Sequence, residues 1–441
     1  METRVVKQNT TLVRKGDITL VPVAGLTVFA IASGYLMSLI PLSMDSFGID
    51  TFYASWLASI YFIGLLIGSV MIEPIIAKIG HRLSFVLFLL LLAFTVSILP
   101  LLPYLSVWLV SRFFGGMAVA GIFVVVESWL LIGDNPKERA KRLGFYMTSL
   151  YGGTTLGQLA IGAIGTQGAI PFIAVLALLL IAVLPPLFFK QGQPQCHEHK
   201  SLSLKQISRL NKASLVGCMV SGVVMGSIYG MMPLALNQGQ FNTDQIGVLM
   251  AAIILGRMVV QTIISKLSVM MSKTLLLAMM CLVGVFAMGM TYLSNDYVVL
   301  IIALALLGMS SFALYPIAIT LACDHVNASY IVAITQVMLL SYSVGSAMGP
   351  LGAGMFMSQA SNGIMNFFFV VLLVTAVYML FASLRRKSHI VLNYMRYTLS
   401  VFDINGVAFK SNSVFFIDAS WLIKILLIFL PHYLANDKVI K

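Results

Sequence analysis

GTTLGQLAIG at residues 153–162 and GSAMGPLGAG at residues 345–354 carry glycine at the same first, fifth and tenth positions, 192 residues apart. The same shift places seven of the 17 glycines between residues 21 and 190 on another glycine. Since only 35 of 441 residues are glycine, roughly one or two coincidences are expected by chance. The pairs are Gly25 with Gly217, Gly34 with Gly226, Gly64 with Gly256, Gly116 with Gly308, Gly153 with Gly345, Gly157 with Gly349 and Gly162 with Gly354. The sequence therefore indicates two related halves.

The composition is that of a multi-pass membrane protein, with 59% hydrophobic residues, 10% charged residues and a mean hydropathy of +0.98. Twelve runs are long enough to cross a bilayer as helices, and their continuous apolarity favours helices over alternating barrel strands. They cover residues 21–43, 51–72, 84–101, 107–132, 143–165, 169–189, 213–236, 245–266, 274–294, 297–322, 328–357 and 364–384. We predict an all-α membrane protein of twelve transmembrane helices in two pseudo-symmetric six-helix bundles.

One long polar stretch, residues 190–212, divides the twelve runs six and six. We predict an N-terminal tail over residues 1–20, one bundle over 21–189, a cytoplasmic linker over 190–212, a second bundle over 213–384 and a cytoplasmic or interfacial tail over 385–441. The tail segment WLIKILLIFL, residues 421–430, is too short to span a bilayer, so we expect it to lie at the membrane surface.

Basic residues sit in alternate loops of a chain whose net charge is +12. By the positive-inside rule both termini face the cytoplasm, and the placement favours a lipid bilayer over nucleic acid as the partner. We expect a multi-pass monomer in the cytoplasmic (inner) membrane. The basic residues include Arg4, Lys7, Arg14, Lys15, Lys78, Arg82, Lys137, Arg139, Lys141, Arg142, Lys190, Lys200, Lys205, Arg209, Lys212, Lys266, Lys273, Arg385, Arg386 and Lys387.

Two bundles of one design, related as parallel repeats, are typical of transporters that bind their solute between the halves near the membrane midplane. The alternative interpretation of the shared glycines is close helix packing alone, which such spacing promotes in any bundle.

Several stretches resemble the major facilitator superfamily and, within it, the YcaD-like group of bacterial transporters, over about residues 20–385. They include GIFVVVESWL, YGGTTLGQL, SGVVMGSIYGMMPLALN, FALYPIAITLACDHV and LLSYSVGSAMGP. The resemblance implies the fold and a rocking mechanism, and it does not imply a particular solute.

The family's loop signature between helices 2 and 3, GxLaDrxGrr, is partly matched by EPIIAKIGHR, residues 73–82. Gly80 and Arg82 match, Ala77 stands where the family has aspartate, and Glu73 is a candidate substitute. In the family this loop latches the two halves together, so the resemblance makes Glu73, Lys78, Gly80 and Arg82 candidates for a gating loop.

The helix 4 signature of the family is matched by Arg112 and Gly116 in SRFFGGMAVA. The resemblance places Arg112 in the proton or substrate machinery. The helix 5 pattern associated with antiport, GxxxGPxxGG, is imperfect because Gln158 replaces proline, whereas the nearly complete form lies on helix 11.

Three charged residues lie inside predicted spans, where each costs on the order of 2.5–3.5 kcal/mol on insertion scales. Arg112 and Glu127 are about 22 Å apart along one helix. Arg257 lies about 14 Å from the cytoplasmic helix end, too deep to reach the surface, so it needs a wet cavity or a partner. A carboxyl group between apolar and basic surroundings can load and release a proton. For Glu127 a salt bridge to Arg139, Lys141 or Arg142 is the structural alternative.

Two arginines against one glutamate favour an anionic or zwitterionic solute. Tyr35, Gln158, Tyr229, Gln336 and Tyr342 are candidates for the cavity lining, and packing or helix-to-helix hydrogen bonding is the alternative for each. CHEH, residues 196–199, lacks a second ligand pair and is interpreted as a polar linker. We therefore predict no metal site and no cofactor.

The predicted function is secondary active transport of a small solute by alternating access, with proton-coupled uptake favoured. A proton-antiport exporter of drugs or metabolites is an alternative of the same class. A non-transporting membrane sensor or scaffold with a transporter fold is an alternative of another class. The absence of a GxxxxGKS/T phosphate loop argues against ATP hydrolysis. An enzyme is not predicted, because no nucleophile and base or carboxylate pair lies within the spans.

Overall fold

A computed structural model of the chain describes residues 17–131, 136–188, 211–294, 296–324, 331–360 and 362–404. Within these ranges lie twelve long α-helices and two short 3₁₀ turns, Met44–Phe47 and Thr51–Tyr53. The helices are α1 Asp17–Ser43, α2 Ala54–Met71, α3 Glu73–Leu101, α4 Leu105–Leu131, α5 Pro136–Ile164, α6 Ile170–Phe188, α7 Lys212–Gln238, α8 Thr243–Met270, α9 Lys273–Leu293, α10 Tyr297–Ala322, α11 Ile331–Met357 and α12 Gly363–Ile404.

Ten of these helices are long and apolar enough, over their described residues, to cross a membrane. The other two are α5 and α11, which carry the stretches at residues 153–162 and 345–354. Glycine, serine and threonine are frequent in both and lower their hydropathy. The all-helical membrane fold is confirmed, and the number of twelve spans stays a prediction.

The internal repeat is visible in the helix pairs that pack together. In the first half α1 packs on α5, α2 on α4 and α3 on α4, and in the second half α7 packs on α11, α8 on α10 and α9 on α10. Every pair of the first set becomes a pair of the second set when six is added to the helix numbers. The two halves are therefore built to one plan.

The paired glycines mark equivalent crossing points in the two halves. A methyl group at Gly34 would lie within 3.0 Å of the carbonyl oxygen of Thr154, and one at Gly226 would do the same to Ser346. Thr154 and Ser346 are themselves related by the shift of 192. The same agreement holds for Gly64 with Phe113 and Gly256 with Ala305, Gly116 with Tyr61 and Gly308 with Ile253, Gly153 with Thr27 and Gly345 with Met219, and Gly157 with Ile31 and Gly349 with Val223. These glycines let backbones approach closely, as small residues do in membrane helix pairs.

The two bundles meet through α5 with α8, α2 with α11, and α1 with α7. Gly162 of α5 lies against Asp244 at the start of α8, and Gly354 of α11 lies against Ser55 at the start of α2. These contacts lie near residues 44–53, 165–169 and 239–242, which connect helices at one end of the bundles. The two halves are thus packed together at this end.

The chain divides into two compact units, Met1–Ser383 and Leu384–Lys441. The first contains both bundles. Helix α12 continues to Ile404, 20 residues beyond the predicted span end at residue 384, because residues 385–404 contain no proline or glycine to end it. Most of the predicted linker (residues 190–210), the CHEH segment and residues 405–441 lie outside the described residues, so the predicted domain boundaries stay predictions.

Candidate functional site

Arg257 joins the two bundles through its guanidinium group. The guanidinium carbon lies 3.8 Å from the ring centroid of Tyr151, on α5 of the other bundle, and 4.2 Å from that of Phe312 on α10. Tyr151 and Tyr229 both interact electrostatically with the same group. Arg257 is half-buried. Its charge is therefore held among aromatic rings.

Arg112 on α4 is held by an aromatic ring of its own bundle. Its guanidinium carbon lies 4.2 Å from the ring centroid of Tyr61 on α2. The Nε atom of Arg112 is buried and has no hydrogen-bond partner. A buried donor without an acceptor is unfavourable, so this side chain is suited to receive an acceptor from a bound molecule.

A small cavity beside Arg112 lies between the two bundles. Tyr229 and Gly230 line it from α7 of the second half. The other lining residues are Met37, Ile40 and Pro41 of α1, Ala54 and Ala58 of α2, and Arg112 of α4. Tyr229 also interacts electrostatically with Arg257.

Glu127 lies near the other end of α4, with an exposed side chain. Its Oε1 atom accepts a 2.7 Å hydrogen bond from the hydroxyl group of Tyr146, which is only 2% exposed. Tyr146 also interacts electrostatically with Tyr151 and Arg257. The carboxylate of Glu127 and the guanidinium of Arg257 therefore belong to one electrostatic cluster.

Tyr342 connects this cluster to Arg112. Its ring centroid lies 5.0 Å from that of Tyr315, and Tyr342 interacts electrostatically with Arg257 and Tyr61. Glu127 interacts in the same way with Tyr315. A chain of tyrosines thus connects Arg112 with the cluster of Glu127 and Arg257, although Arg112 and Glu127 lie near opposite ends of α4.

Five aromatic residues of this region were missed by the sequence analysis, namely Tyr61, Tyr146, Tyr151, Phe312 and Tyr315. The available signal was weak: a tyrosine within an apolar span brings a hydroxyl group that needs a partner, but the sequence does not say which tyrosines meet.

Two predicted lining residues, Tyr35 and Gln158, have partners inside the first bundle. Tyr35 is fully buried and donates a 2.5 Å hydrogen bond to the carbonyl oxygen of Gly165. Gln158 is also fully buried, donates to the carbonyl oxygen of Gly34 and accepts from Ser38, both at 2.7 Å. These contacts give both side chains a packing role, and we leave them out of the proposed site.

The other three predicted lining residues are Tyr229, Tyr342 and Gln336, and none of them has such a partner within the described part of the first bundle. Tyr229 and Tyr342 are half-buried and both interact with Arg257. Gln336 is exposed on α11. The predicted role of all three in the cavity stays a prediction.

The predicted gating loop contains a break in α3. Gly80 has φ +78° and ψ 165°, a conformation that is essentially confined to glycine. Lys78 is exposed, while Nε and Nη1 of Arg82 are buried without hydrogen-bond partners. The side chain of Glu73 lies outside the described part of the chain, so the predicted latch stays untested.

Comparison with known proteins identifies the family. The model of the Major Facilitator Superfamily matches residues 23–350. The chain belongs to this superfamily. It is 33% identical over 370 residues to the uncharacterized MFS-type transporter YcaD of Escherichia coli, covering 83% of this chain and 95% of that protein. The corresponding protein of Escherichia fergusonii is 32% identical over the same length. The resemblance to a YcaD-like group of MFS transporters is confirmed.

Solved structures of MFS transporters share the fold. The crystal structure of the nucleoside transporter NupG has a TM-score of 0.65 at 13% identity, covering 84% of this chain and 98% of that one. A bacterial homologue of the human lysosomal transporter Spinster, in an inward-facing and occupied conformation, has a TM-score of 0.66 at 15% identity, covering 83% and 95%. The protein is thus a multi-pass MFS transporter that moves a small solute across a membrane.

Proposed function

We propose that this MFS transporter takes up a small organic anion or zwitterion together with protons, through alternating access to a central site at Arg112, Glu127 and Arg257. The observation that carries the proposal is the position of Arg257. This arginine of the second bundle stacks on Tyr151 of the first bundle and shares an electrostatic cluster with Glu127.

The charges of the region favour a negatively charged group on the solute. Arg112 and Arg257 are each held by aromatic rings, and neither ring supplies a counter-charge. An anionic group would pair with a guanidinium through charge-assisted hydrogen bonds. Glu127 could accept the ammonium group of a zwitterion, so zwitterions belong to the proposed range.

Proton coupling is proposed from the link between Glu127 and Arg257 through Tyr146, which hydrogen-bonds to Glu127 and interacts electrostatically with Arg257. An anion bound at Arg257 places a negative charge near the carboxylate of Glu127, and the repulsion is relieved when Glu127 takes up a proton. Anion and proton then favour each other's binding, which is positive cooperativity, with a negative coupling free energy between the two sites. Such coupling favours transport of both in the same direction.

The packing of the bundles supports alternating access. The close contacts of Gly162 with Asp244 and of Gly354 with Ser55 lie at one end of the bundles. In the predicted topology, with both termini in the cytoplasm and the protein in the inner membrane, this is the outer end. The structure would then correspond to an inward-facing state, in which Glu127 is open to the cytoplasm.

The proposal can be tested in proteoliposomes that contain the pH indicator pyranine. Proton entry is followed after external addition of a panel of carboxylates and amino acids, for the wild type, Glu127→Gln, Glu127→Ala and the control Asp45→Asn, whose acid is exposed in the 3₁₀ turn Met44–Phe47. We expect solute-driven proton entry to fall at least about tenfold in both Glu127 variants and to stay unchanged in the control.

Two outcomes of this experiment contradict the proposal. Undiminished proton entry in both Glu127 variants would remove this residue from the coupling. Proton movement opposite to the solute would show antiport and favour an exporter.

A further inference from the structure

The cavity beside Arg112 has a volume of about 10 Å³, which is room for one water molecule. A water molecule held inside a protein needs two to four polar partners. One partner is the Nε atom of Arg112, which is buried and has no acceptor among the described residues. Further partners have to come from the other helices that line the cavity, which are α1, α2 and α7.

Two prolines leave carbonyl groups beside this cavity without their helical donors. Pro41 lies within α1 and Pro233 lies within α7. Proline has no N–H group, so it cannot donate to the carbonyl oxygen four residues earlier in its helix. These carbonyl groups belong to Met37 and Tyr229, and both residues line the cavity. In membrane helices such freed carbonyl groups are satisfied by neighbouring helices or by ordered water.

The pair of carbonyl groups follows from the internal repeat. Pro41 and Pro233 are related by the shift of 192 residues, and so are Met37 and Tyr229. The two equivalent residues line one cavity from opposite halves of the molecule. A duplicated feature of helices α1 and α7 thus brings two acceptors to the cavity of a single buried donor.

We propose that one water molecule occupies this cavity and joins the two bundles. It accepts a hydrogen bond from Nε of Arg112 and donates one hydrogen atom to each of the carbonyl oxygens of Met37 and Tyr229. The water then makes three hydrogen bonds, which is the usual number for a buried water molecule.

This water site lies at the end where the bundles are packed together. Pro41 is two residues from the end of α1, and Ala54, which also lines the cavity, begins α2. Separation of the bundles at this end would move Tyr229 away from Met37 and Arg112. The water therefore stabilises the state in which this end is closed. The inference goes beyond the proposed function, because it depends neither on the solute nor on proton coupling.

The first test is an experimental structure of the wild-type transporter with this end closed, at a resolution that shows ordered water. We expect one water molecule within about 3.2 Å of Nε of Arg112 and of the carbonyl oxygens of Met37 and Tyr229. The inference is wrong if no ordered water lies there, or if either carbonyl oxygen accepts from a protein donor instead.

The second test measures how often this end opens in the full-length protein in detergent. Ser55 lies against Gly354 of the other bundle and is 7% exposed, so in Ser55→Cys the reaction with a maleimide reports opening. Protein that retains Ser55 gives the background from the native cysteines. Pro41→Ala and Pro233→Ala each restore an N–H group, so one carbonyl group no longer binds the water. We expect each change to raise the rate roughly two- to tenfold, the contribution of one hydrogen bond.

The double variant distinguishes one shared water from two separate changes of helix shape. If both carbonyl groups hold the same water, the first substitution already weakens what the second would remove. The rate in the double variant should then lie below the product of the two single effects. Pro185→Ala is the control, because Pro185 lies within α6 and does not line the cavity, and its rate should be unchanged.

Three results of the labelling experiment overturn the inference. They are an unchanged rate in either single proline variant, a double variant equal to the product of the two, and a control that reacts as fast as the test variants. If a variant does not fold, the wild-type structure still decides. Neither test involves movement of solute or protons, so a failure here leaves the proposed function untouched, and failure of the coupling leaves the water site untouched.

Discussion

The guanidinium carbon of Arg257 lies 3.8 Å from the ring centroid of Tyr151, across the interface between the two bundles. A rocking motion that separates α5 from α8 would have to break this contact. The same arginine is a candidate for binding the solute. The ring of Tyr151 and a bound anion would therefore both contact the guanidinium group of Arg257.

We predict that Tyr151→Leu slows transport while Tyr151→Phe preserves it. Leucine removes the ring that holds the Arg257 guanidinium in position for the solute, and this loss outweighs the easier separation of the bundles. A cation–π contact contributes about 0.5–2 kcal/mol, or roughly a two- to thirtyfold change. Initial rates of uptake in proteoliposomes measure the effect. The control is Tyr104→Leu, because Tyr104 is 65% exposed in the connection between α3 and α4. Equal rates in Tyr151→Leu and the wild type would show that the contact does not control the transport cycle.

The hydrogen bond from Tyr146 to Glu127 predicts a second phenotype. Tyr146→Phe keeps the ring and removes the donor, and hydrogen bonds to charged groups contribute about 1.5–3 kcal/mol. We expect proton-driven uptake to fall by roughly tenfold or more, while exchange of solute across the membrane at equal pH is less affected. Loss of both activities in equal measure would indicate that Tyr146 supports the fold and not the coupling.

Close helix crossings should make some glycines irreplaceable. In Gly256→Ala the new methyl group would lie within 3.0 Å of the carbonyl oxygen of Ala305, whereas nothing lies within 4 Å at Gly289. Overpacking of this kind costs about 1–3 kcal/mol. We expect Gly256→Ala to lower the Tm of the detergent-purified protein and Gly289→Ala to leave it unchanged. The repeat predicts that Gly64→Ala resembles Gly256→Ala, and a Tm like that of the wild type in both would refute the equivalence.

The break in α3 depends on the backbone conformation of Gly80. In Gly80→Ala a side chain would have to adopt φ +78° and ψ 165°, at a cost of about 1–3 kcal/mol. We expect a lower Tm and altered transport, because the short helix before Gly80 would change direction. Gly144→Ala on α5, where nothing lies within 4 Å, is the comparison, and equal Tm values for the two variants would contradict the prediction.

Much of the fold could be predicted because it depends on properties that are local along the chain. Long apolar runs indicate membrane helices wherever they occur, and the glycine spacing at residues 153–162 and 345–354 indicates the repeat. The first signal arises because backbone N–H and C=O groups inside a bilayer must all be hydrogen-bonded within the protein, as they are in a helix. The second arises because membrane helices cross closely only where their residues are small.

The composition of the site was decided by the tertiary structure. Arg112, Glu127 and Arg257 were candidates because a charge within a membrane span needs a reason, yet their partners lie on helices distant in sequence. Tyr35 and Gln158 looked equally suitable but hydrogen-bond within the first bundle, whereas Tyr61, Tyr146 and Tyr151 lie beside the charged groups. Hydropathy does not specify which face of a helix meets the other bundle, since that depends on how all the helices pack at once.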